Sequence, residues 1–122
     1  MSRHTAIYCR TTEQDPAAIA QQRDALKQYA EEHGFDNLAF YEDNGLSVLD
    51  HRPEFIRLEQ DIQEYKIAWL LVTSVSRIER NTPVVMRWLI WLRNHGAEIY
   101  TLDDRAEWNP LLAALEGDST NE

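Results

Sequence analysis

Arginine is the residue type in this sequence whose chemistry and placement are most informative. Of the 12 Lys and Arg residues, only Lys27 and Lys66 are lysines. A guanidinium group grips phosphate or carboxylate with two parallel hydrogen bonds, whereas an ammonium group acts as a point charge. Four arginines lie at the ends of predicted strands or in the loops that follow them, namely Arg10, Arg52, Arg77 and Arg80. Because clustered cations repel one another, this placement predicts an anion site, with phosphate as the natural ligand.

The elements that must position these arginines alternate between strand and helix patterns. Apolar strand segments are predicted at 5–9, 37–41, 67–72 and 98–102. Helices are predicted to begin at Pro16, Pro53 and Thr82, since a capping residue or a proline at the first helical position marks each start. This order predicts an α/β fold with three α/β/α layers and a mainly parallel sheet of four to five strands.

The loops that follow the first three strands are expected to lie together. Ligands of an open parallel sheet bind at the carboxyl ends of its strands. The first of these loops carries Arg10 and Thr12, the second spans 42–52 and the third carries residues 74–80. The arginines should therefore converge there, either on sulfate or phosphate or in close pairs with Asp43 or Glu79.

Gln22 is a polar residue within the apolar arc of the first predicted helix. An inward-facing amide needs hydrogen-bond partners. One interpretation is an amide that the backbone satisfies. The other is a group that positions the loop from Arg10 to Thr12, because Gln22 lies in the half of the helix nearest that loop.

Composition limits the class of protein. The chain has 122 residues, 43% hydrophobic, with a formal net charge of -9, which fits one globular domain and argues against a free-standing basic DNA-binding domain. Its single cysteine, Cys9, excludes an internal disulfide. No dinucleotide or P-loop glycine motif occurs, so no cofactor and no metal are expected. The longest apolar run, Ile67 to Val72, is too short to span a membrane, and no secretory signal is visible, so we expect a cytoplasmic protein.

Four short segments match, in order and spacing, the motifs of a known family. They are Tyr8–Thr12 (Y-x-R-x-S), Gln21–Leu26 (Q-Q-R-x-A-L), Asp43–Ser47 with Arg52-Pro53 (D-x-G-x-S…R-P), and Val75–Thr82 (L-D-R-L-x-R-N-T). Together they make residues 5–104 resemble the catalytic domain of the serine recombinases, the resolvase/invertase family. The resemblance implies the fold of that domain and a role in DNA recombination or integration by mobile elements.

The resemblance also implies roles for particular side chains. In this family a serine attacks a DNA phosphodiester, and a second strand's hydroxyl later reverses the link. Thr12 stands at the nucleophile position, and the guanidinium shell that offsets transition-state charge would be Arg10, Arg77 and Arg80. Supporting roles fall to Arg52, Gln22, Ser47 and Ser76.

The chain departs from the family pattern at several points. Thr12 replaces the serine, and its extra methyl restricts χ1. Ser76 replaces an aspartate beside Arg77, and Val48 replaces a loop glycine. Residues 1–104 are predicted to form the catalytic domain, and 105–122 a truncated segment with a short helix at Leu111–Leu115 and a frayed tail. The family's long dimerisation helix and basic DNA-binding domain are not expected, so DNA binding by the chain alone should be weak.

Three functions remain open at this point. One is DNA strand cleavage and exchange through a covalent hydroxyl–phosphodiester intermediate. A second is a catalytically impaired module that acts by regulation or oligomerisation. A third is an unrelated small phosphate or nucleotide binder on the same α/β scaffold.

The third helix predicts self-association. Its apolar residues cover an arc of about 160° at 100° per residue. Such an arc is wide for a helix with one face on a sheet, so we expect a homo-oligomer that buries Trp91 with Met86 or Ile90. The alternative is that Trp88 and Trp91 lie flat over the core.

Overall fold

The sheet of the computed structural model, which describes residues 3–104 and 107–120, consists of four parallel strands. The strands are β1 (His4–Thr11), β2 (Leu38–Asn44), β3 (Ile67–Val72) and β4 (Glu98–Thr101). Their order is β2-β1-β3-β4, so β1 and β3 are central and are buried along most of their length. Continuous apolar strands of this kind are typical of a parallel sheet that is covered on both faces. The predicted parallel α/β sheet is confirmed, with four strands.

Four helices connect or follow the strands: α1 (Pro16–His33), α2 (Pro53–Gln63), α3 (Thr82–Asn94) and α4 (Trp108–Thr120). The predicted starts at Pro16 and Pro53 are confirmed. The third helix also begins at Thr82-Pro83, but Thr82 is helical and is not the cap: Asn81 caps α3 by accepting a hydrogen bond from Val84 N at 3.1 Å. Asp15 caps α1 by accepting a hydrogen bond from the Ala18 backbone at 3.0 Å. A short 3-10 turn, Val75–Arg77, lies between β3 and α3 and was not predicted.

The alternation of side chains along β1 divides the core into two layers. Ile7 and Cys9 face α1, with Ile19, Leu26 and Ala30 packed against them. Ala6 and Tyr8 face the opposite side. That second layer contains apolar residues from the other three helices, among them Phe55, Leu58, Ile62, Val85, Leu89, Leu92 and Leu112. The predicted three-layer α/β/α arrangement is therefore present, with one helix on one face and three on the other.

Two strands extend further than the apolar pattern predicts. β1 continues to Thr11 and β2 to Asn44, because the parallel register pairs Arg10 with Asp43 and Thr11 with Asn44. Polar side chains thus occupy the last positions of both strands. The predicted loop 42–52 begins correspondingly later, after Asn44.

The predicted short helix Leu111–Leu115 is wrong in length, since α4 runs from Trp108 to Thr120. Leu112 is fully buried in the core. The Asn109 side chain accepts a hydrogen bond from the Ile99 backbone nitrogen at 3.0 Å and donates one to the Ile99 carbonyl at 2.9 Å. Packing of Leu112 and this contact with edge strand β4 therefore stabilise α4. Residues 121–122 of the predicted frayed tail lie outside the described residues.

Of the two indoles of α3, Trp88 contacts α2 and Trp91 packs beside Trp88. Trp88 donates a hydrogen bond to the Glu59 carboxylate at 2.9 Å, and its ring stacks on Phe55 with centroids 5.4 Å apart. Trp91 contacts Trp88 at 5.7 Å and His95 at 4.7 Å between centroids. Both indoles are half-buried within one chain, and burial of Trp91 by a second copy stays a prediction. Over the ranges described, no helix combines the length and apolar composition needed to cross a membrane.

Candidate functional site

Arg10 is a buried cation near the end of β1, and only 1% of its surface is exposed to solvent. Its guanidinium donates to two carbonyls of the Val75–Arg77 turn, from Nε to Arg77 O at 2.8 Å and from Nη2 to Ser76 O at 2.9 Å. Nη1 donates to the Leu46 carbonyl at 3.1 Å and to the Thr12 hydroxyl at 3.3 Å. All four acceptors are uncharged oxygens. One guanidinium therefore connects the loops that follow β1, β2 and β3.

Burial and neighbouring positive charge both act on Arg10. Burial lowers the pKa of Arg10, and the charges of Arg52, Arg77 and Arg80 lower that pKa further. A buried charge destabilises the folded protein unless an opposite charge lies close to it. An anion that entered this cluster would stabilise the protonated guanidinium.

Arg77 and Arg52 join the same network. The Arg77 carbonyl accepts from Arg10 and also from Arg52 Nη1, the latter at 3.2 Å. In return Arg77 Nη1 donates to the Arg10 carbonyl at 3.1 Å. Arg52, 7% exposed, also donates to the Tyr8 hydroxyl at 3.4 Å and lies 4.0 Å from the Phe55 ring centroid. The structure thus connects three of the four predicted arginines by hydrogen bonds to the carbonyls of Arg77 and Arg10.

Arg80 lies in the loop after the turn and is exposed. Its charge is close enough to lower the pKa of Arg10. Its guanidinium is the member of the cluster with the most contact with solvent, which suits a group that meets an incoming anion.

No carboxylate of the described residues forms an ion pair with any of these four arginines. The ion pairs that the described ranges contain are Arg23–Glu42, Arg57–Glu54 and Lys66–Glu64. The expected alternative, close pairing of the cluster with Asp43 or Glu79, is therefore not observed. Glu79 instead accepts from the backbone nitrogens of Arg80 and Asn81, at 2.9 and 3.1 Å.

Asp43 caps the start of α2. Its carboxylate accepts from the backbone nitrogens of Glu54 at 3.1 Å and Phe55 at 2.9 Å. It also accepts from the Tyr8 hydroxyl at 2.9 Å. Burial, together with the Asp43 charge, raises the pKa of Tyr8, so the phenol stays neutral and donates. Tyr8 separates Asp43 from Arg52 and leaves that guanidinium without a carboxylate partner among the described side chains.

Thr12 follows the last residue of β1 and is exposed to solvent. Its hydroxyl accepts from Arg10 Nη1 at 3.3 Å and has room on its solvent side. Gln22 supports this end of β1 from α1, because its amide accepts from Arg10 N at 3.1 Å and donates to Arg10 O at 3.0 Å. Both interpretations of Gln22 thus describe the same pair of hydrogen bonds. The backbone that satisfies the amide is that of Arg10.

The two serines of the predicted set direct their hydroxyls away from the guanidinium groups. Ser47 Oγ accepts from Leu49 N at 3.2 Å, within its own turn. Ser76 Oγ donates to Ser74 Oγ at 3.1 Å, while the Ser76 carbonyl accepts from Arg10. The structure therefore brings the backbone of Ser76, and not its side chain, to the cluster.

Sequence reasoning missed the contact that joins the first two loops. Thr11 Oγ1 donates to Asn44 Oδ1 at 2.9 Å and accepts from Gly45 N at 3.1 Å. Gly45 has a φ of 80°, and a Cβ there would lie 2.8 Å from the Gln14 side chain. The Asn-Gly pair is a turn signal that marks this position in the sequence.

A second missed residue is Asp104, which follows β4 at the same carboxyl edge of the sheet and contacts the Val75–Arg77 turn that follows β3. The rule that groups the loops after the first three strands applies equally to the segment after β4, and it is the signal that could have found Asp104. Within the described ranges, no group of three or more His, Cys, Asp or Glu side chains is placed to hold a metal ion.

Comparison with known proteins adds a family and a set of similar folds. The family model described as Resolvase, N terminal domain matches residues 5–115. The N-terminal catalytic domain of TP901-1 integrase is similar at 22% identity with a TM-score of 0.77, covering 98% of this chain and 98% of that chain. The C-terminal catalytic domain of ISC1926 TnpA, an IS607-like serine recombinase, is similar at 19% identity with a TM-score of 0.76, covering 97% and 79%.

A resolvase family site-specific recombinase from Streptococcus pneumoniae is similar at 21% identity with a TM-score of 0.76, covering 98% of this chain and 87% of that chain. At these identities the structures show a common fold. Among curated proteins, none matches the chain.

Proposed function

Since this chain belongs to the resolvase N-terminal domain family, we propose that it acts on DNA as a strand transferase of the serine recombinase type. The observation that carries the proposal is the Arg10 guanidinium, which is buried, has only neutral oxygen acceptors and donates to the Thr12 hydroxyl. A backbone phosphate of DNA is the anion that this site would take. Arg77 and Arg80 would contact the non-bridging oxygens of the phosphate. Arg52 would support these arginines from the loop that follows β2.

The reaction proposed for the site exchanges one phosphate ester for another. The Thr12 Oγ–P bond forms as the bond from phosphorus to a deoxyribose oxygen breaks. Thr12 loses its hydroxyl proton and the departing sugar oxygen gains one, so charge and bonds balance. The guanidinium groups would stabilise the extra negative charge of the five-coordinate transition state. Attack by a second strand's hydroxyl would reverse the step and free Thr12.

A second function, a regulatory or oligomerisation module, is favoured by Thr12 itself. The methyl group on its Cβ restricts the rotation needed for in-line attack. In that case the site would still bind phosphate but would form no covalent link.

Anion binding can be tested by titrating the chain with inorganic phosphate and with a short DNA duplex at low ionic strength. We expect Arg77→Gln to weaken both interactions by about tenfold or more, since charge-assisted hydrogen bonds contribute about 1.5–3 kcal/mol. Arg87→Gln is the matched control, because Arg87 is exposed on α3 and carries the same charge. Equal binding by both variants would contradict the proposed site.

Covalent chemistry needs a separate assay. A nicked duplex lets the cleaved fragment diffuse away, so any protein–DNA adduct accumulates on a denaturing gel. Adduct formed by the unaltered chain and lost in Thr12→Ala would support strand transfer. Phosphate binding without adduct, in both the unaltered chain and Thr12→Ser, would support the regulatory module instead.

A further inference from the structure

We propose that Asp104 is a positioning residue for the arginine cluster, acting through the Val75–Arg77 turn. The inference rests on the proposed phosphate-binding function of that cluster. The Asp104 carboxylate lies beyond the end of β4, and the turn that it holds in place lies beyond the end of β3.

The Asp104 carboxylate is bound to the turn at two points. Oδ1 accepts from the Ser74 hydroxyl at 2.9 Å, and Oδ2 accepts from the Val75 backbone nitrogen at 2.9 Å. Ser74 Oγ in turn accepts from the Ser76 backbone nitrogen at 3.3 Å and from the Ser76 hydroxyl at 3.1 Å. Asp104 and Ser74 together satisfy the backbone nitrogens of Val75 and Ser76 at the start of the turn.

The turn held in this way supplies the acceptors that fix Arg10. The carbonyls of Ser76 and Arg77 lie 2.9 and 2.8 Å from the Arg10 guanidinium nitrogens. The same turn carries the Arg77 side chain, which returns to the Arg10 carbonyl. A shift of the turn would therefore move both arginines relative to Thr12. Misplacement of about 1 Å is enough to reduce catalytic efficiency greatly in a site of this kind.

Residues 75–77 of the turn include no carboxylate that could hold its backbone in place. Position 76 is serine, and its hydroxyl is used within the turn. Glu79 is engaged with the backbone nitrogens of Arg80 and Asn81. Of the described carboxylates, Asp104 is the one that hydrogen-bonds to residues 74–75.

A purely structural role for Asp104 is the competing explanation. Oδ2 also accepts from the Trp108 indole at 3.3 Å, so Asp104 connects α4 to the turn. Loss of that contact would lower stability without a specific effect on the arginines. The two roles can be distinguished in a variant that stays folded, by measuring phosphate binding and hydrogen exchange at the arginine cluster.

Asp104→Asn and Asp103→Asn form a matched pair for the test. Asp103 is the exposed neighbour, and either change removes one negative charge from the segment after β4. Charge alone therefore predicts equal or tighter phosphate binding in both variants. Positioning predicts the opposite sign for Asp104→Asn alone.

We expect Asp104→Asn to weaken binding of inorganic phosphate by about tenfold, the scale of one charge-assisted hydrogen bond, while Asp103→Asn does not weaken it. Ser74→Ala, which removes the other half of the connection, should weaken binding in the same direction, and it serves if Asp104→Asn does not fold. Phosphate binding that is unchanged or tighter in folded Asp104→Asn would overturn the proposal.

A second measurement is independent of any ligand. Hydrogen exchange of the Arg10 Nε–H, followed by NMR, reports its bond to the Arg77 carbonyl. We expect that exchange to accelerate about tenfold in Asp104→Asn, with backbone exchange at Ile7 unchanged. Equal acceleration at both places would indicate a purely structural role and overturn the proposal. If the unaltered chain bound no phosphate, the proposed function would fail, yet this exchange measurement would still decide whether Asp104 positions Arg10.

Discussion

At the scale of single residues, the proposed chemistry rests on Thr12 and Arg10. The fold keeps the Arg10 guanidinium out of water and joins it to the Thr12 hydroxyl at 3.3 Å. A hydroxyl that accepts from a guanidinium is oriented with its own proton directed elsewhere. Whether that arrangement supports attack on phosphorus depends on the freedom of the Thr12 side chain about χ1.

Thr12→Ser should increase formation of the covalent DNA adduct. Removal of the methyl frees χ1, and an unfavourable rotamer costs about 0.5–1.5 kcal/mol, so we expect about a two- to tenfold faster rate. Adduct formation on a nicked duplex measures the effect, with Thr11→Ser as a comparison at a neighbouring hydroxyl that bonds to Asn44. A slower rate for Thr12→Ser would show that the methyl helps to hold the reactive conformation.

Cys9 gives a prediction for alkaline pH. Burial, followed by the nearby Glu42 charge, raises the pKa of the Cys9 thiol from 9.0 to about 12. Because the unfolded thiol ionises first, the stability contribution is complete below pH 9 and is lost as pH rises from 9 to 12. The unfolding free energy should fall by up to about 1.4 kcal/mol per pH unit in this range.

Urea unfolding across pH 8 to 11 measures this fall. Cys9→Ala is the control, and in that variant the decline should begin about one pH unit higher, where buried tyrosines start to ionise in the unfolded chain. An identical pH profile in both proteins would contradict the assignment to Cys9.

At the scale of elements, the helix starts could be predicted and the strand ends could not. Pro16, Pro53 and Thr82-Pro83 are local signals that depend on backbone chemistry alone. Arg10 and Asp43 read as loop residues because they are charged, yet both lie in strands. Polar residues are expected at the ends of paired strands where those ends form a binding site. At such positions the local sequence suggests a loop although the residues lie in a strand.

The same limit applies to the candidate site. Convergence of Arg10, Arg52 and Arg77 follows from the parallel arrangement of the strands, which the sequence predicts and which places the loops after them at one edge of the sheet. The direction of the Ser47 and Ser76 hydroxyls depends on turn geometry that no spacing reveals. Asp104 reaches the turn from the end of another strand, so its contact depends on the completed sheet.

Asn109 gives a prediction for α4 and the sheet edge. Its amide makes two hydrogen bonds to Ile99 of edge strand β4, at 3.0 and 2.9 Å. Asn109→Ala should lower the unfolding free energy by about 2 kcal/mol, since two backbone groups lose their partner. Urea unfolding measures the change, and Asn94→Ala, at the exposed end of α3, should change stability by less than about 0.5 kcal/mol. Similar losses in both variants would show that the edge contact contributes nothing specific.

At the scale of the whole molecule, the net negative charge of the chain opposes the binding of an anion at the arginine cluster. The chain carries a formal net charge of -9, whereas the proposed ligand is a polyanion. On the proposed function, attraction to DNA would be confined to the arginine cluster and would have to overcome repulsion from the remaining acidic surface. Burial of Arg10 and Arg52 shields part of the cluster from solvent and from screening by salt.

This balance predicts weak, salt-sensitive binding of duplex DNA by the chain alone. If about three arginines each neutralise one phosphate, log K should fall with log salt at a slope of about -2.7. The affinity would then drop about fortyfold between 50 and 200 mM salt. Fluorescence anisotropy of a labelled duplex over that salt range measures the slope. Arg80→Gln should reduce the slope by about one unit, because the exposed guanidinium is the one that reaches solvent, whereas Arg87→Gln should leave it unchanged. Tight binding at 200 mM salt with a shallow slope would mean that contacts other than these arginines hold the DNA.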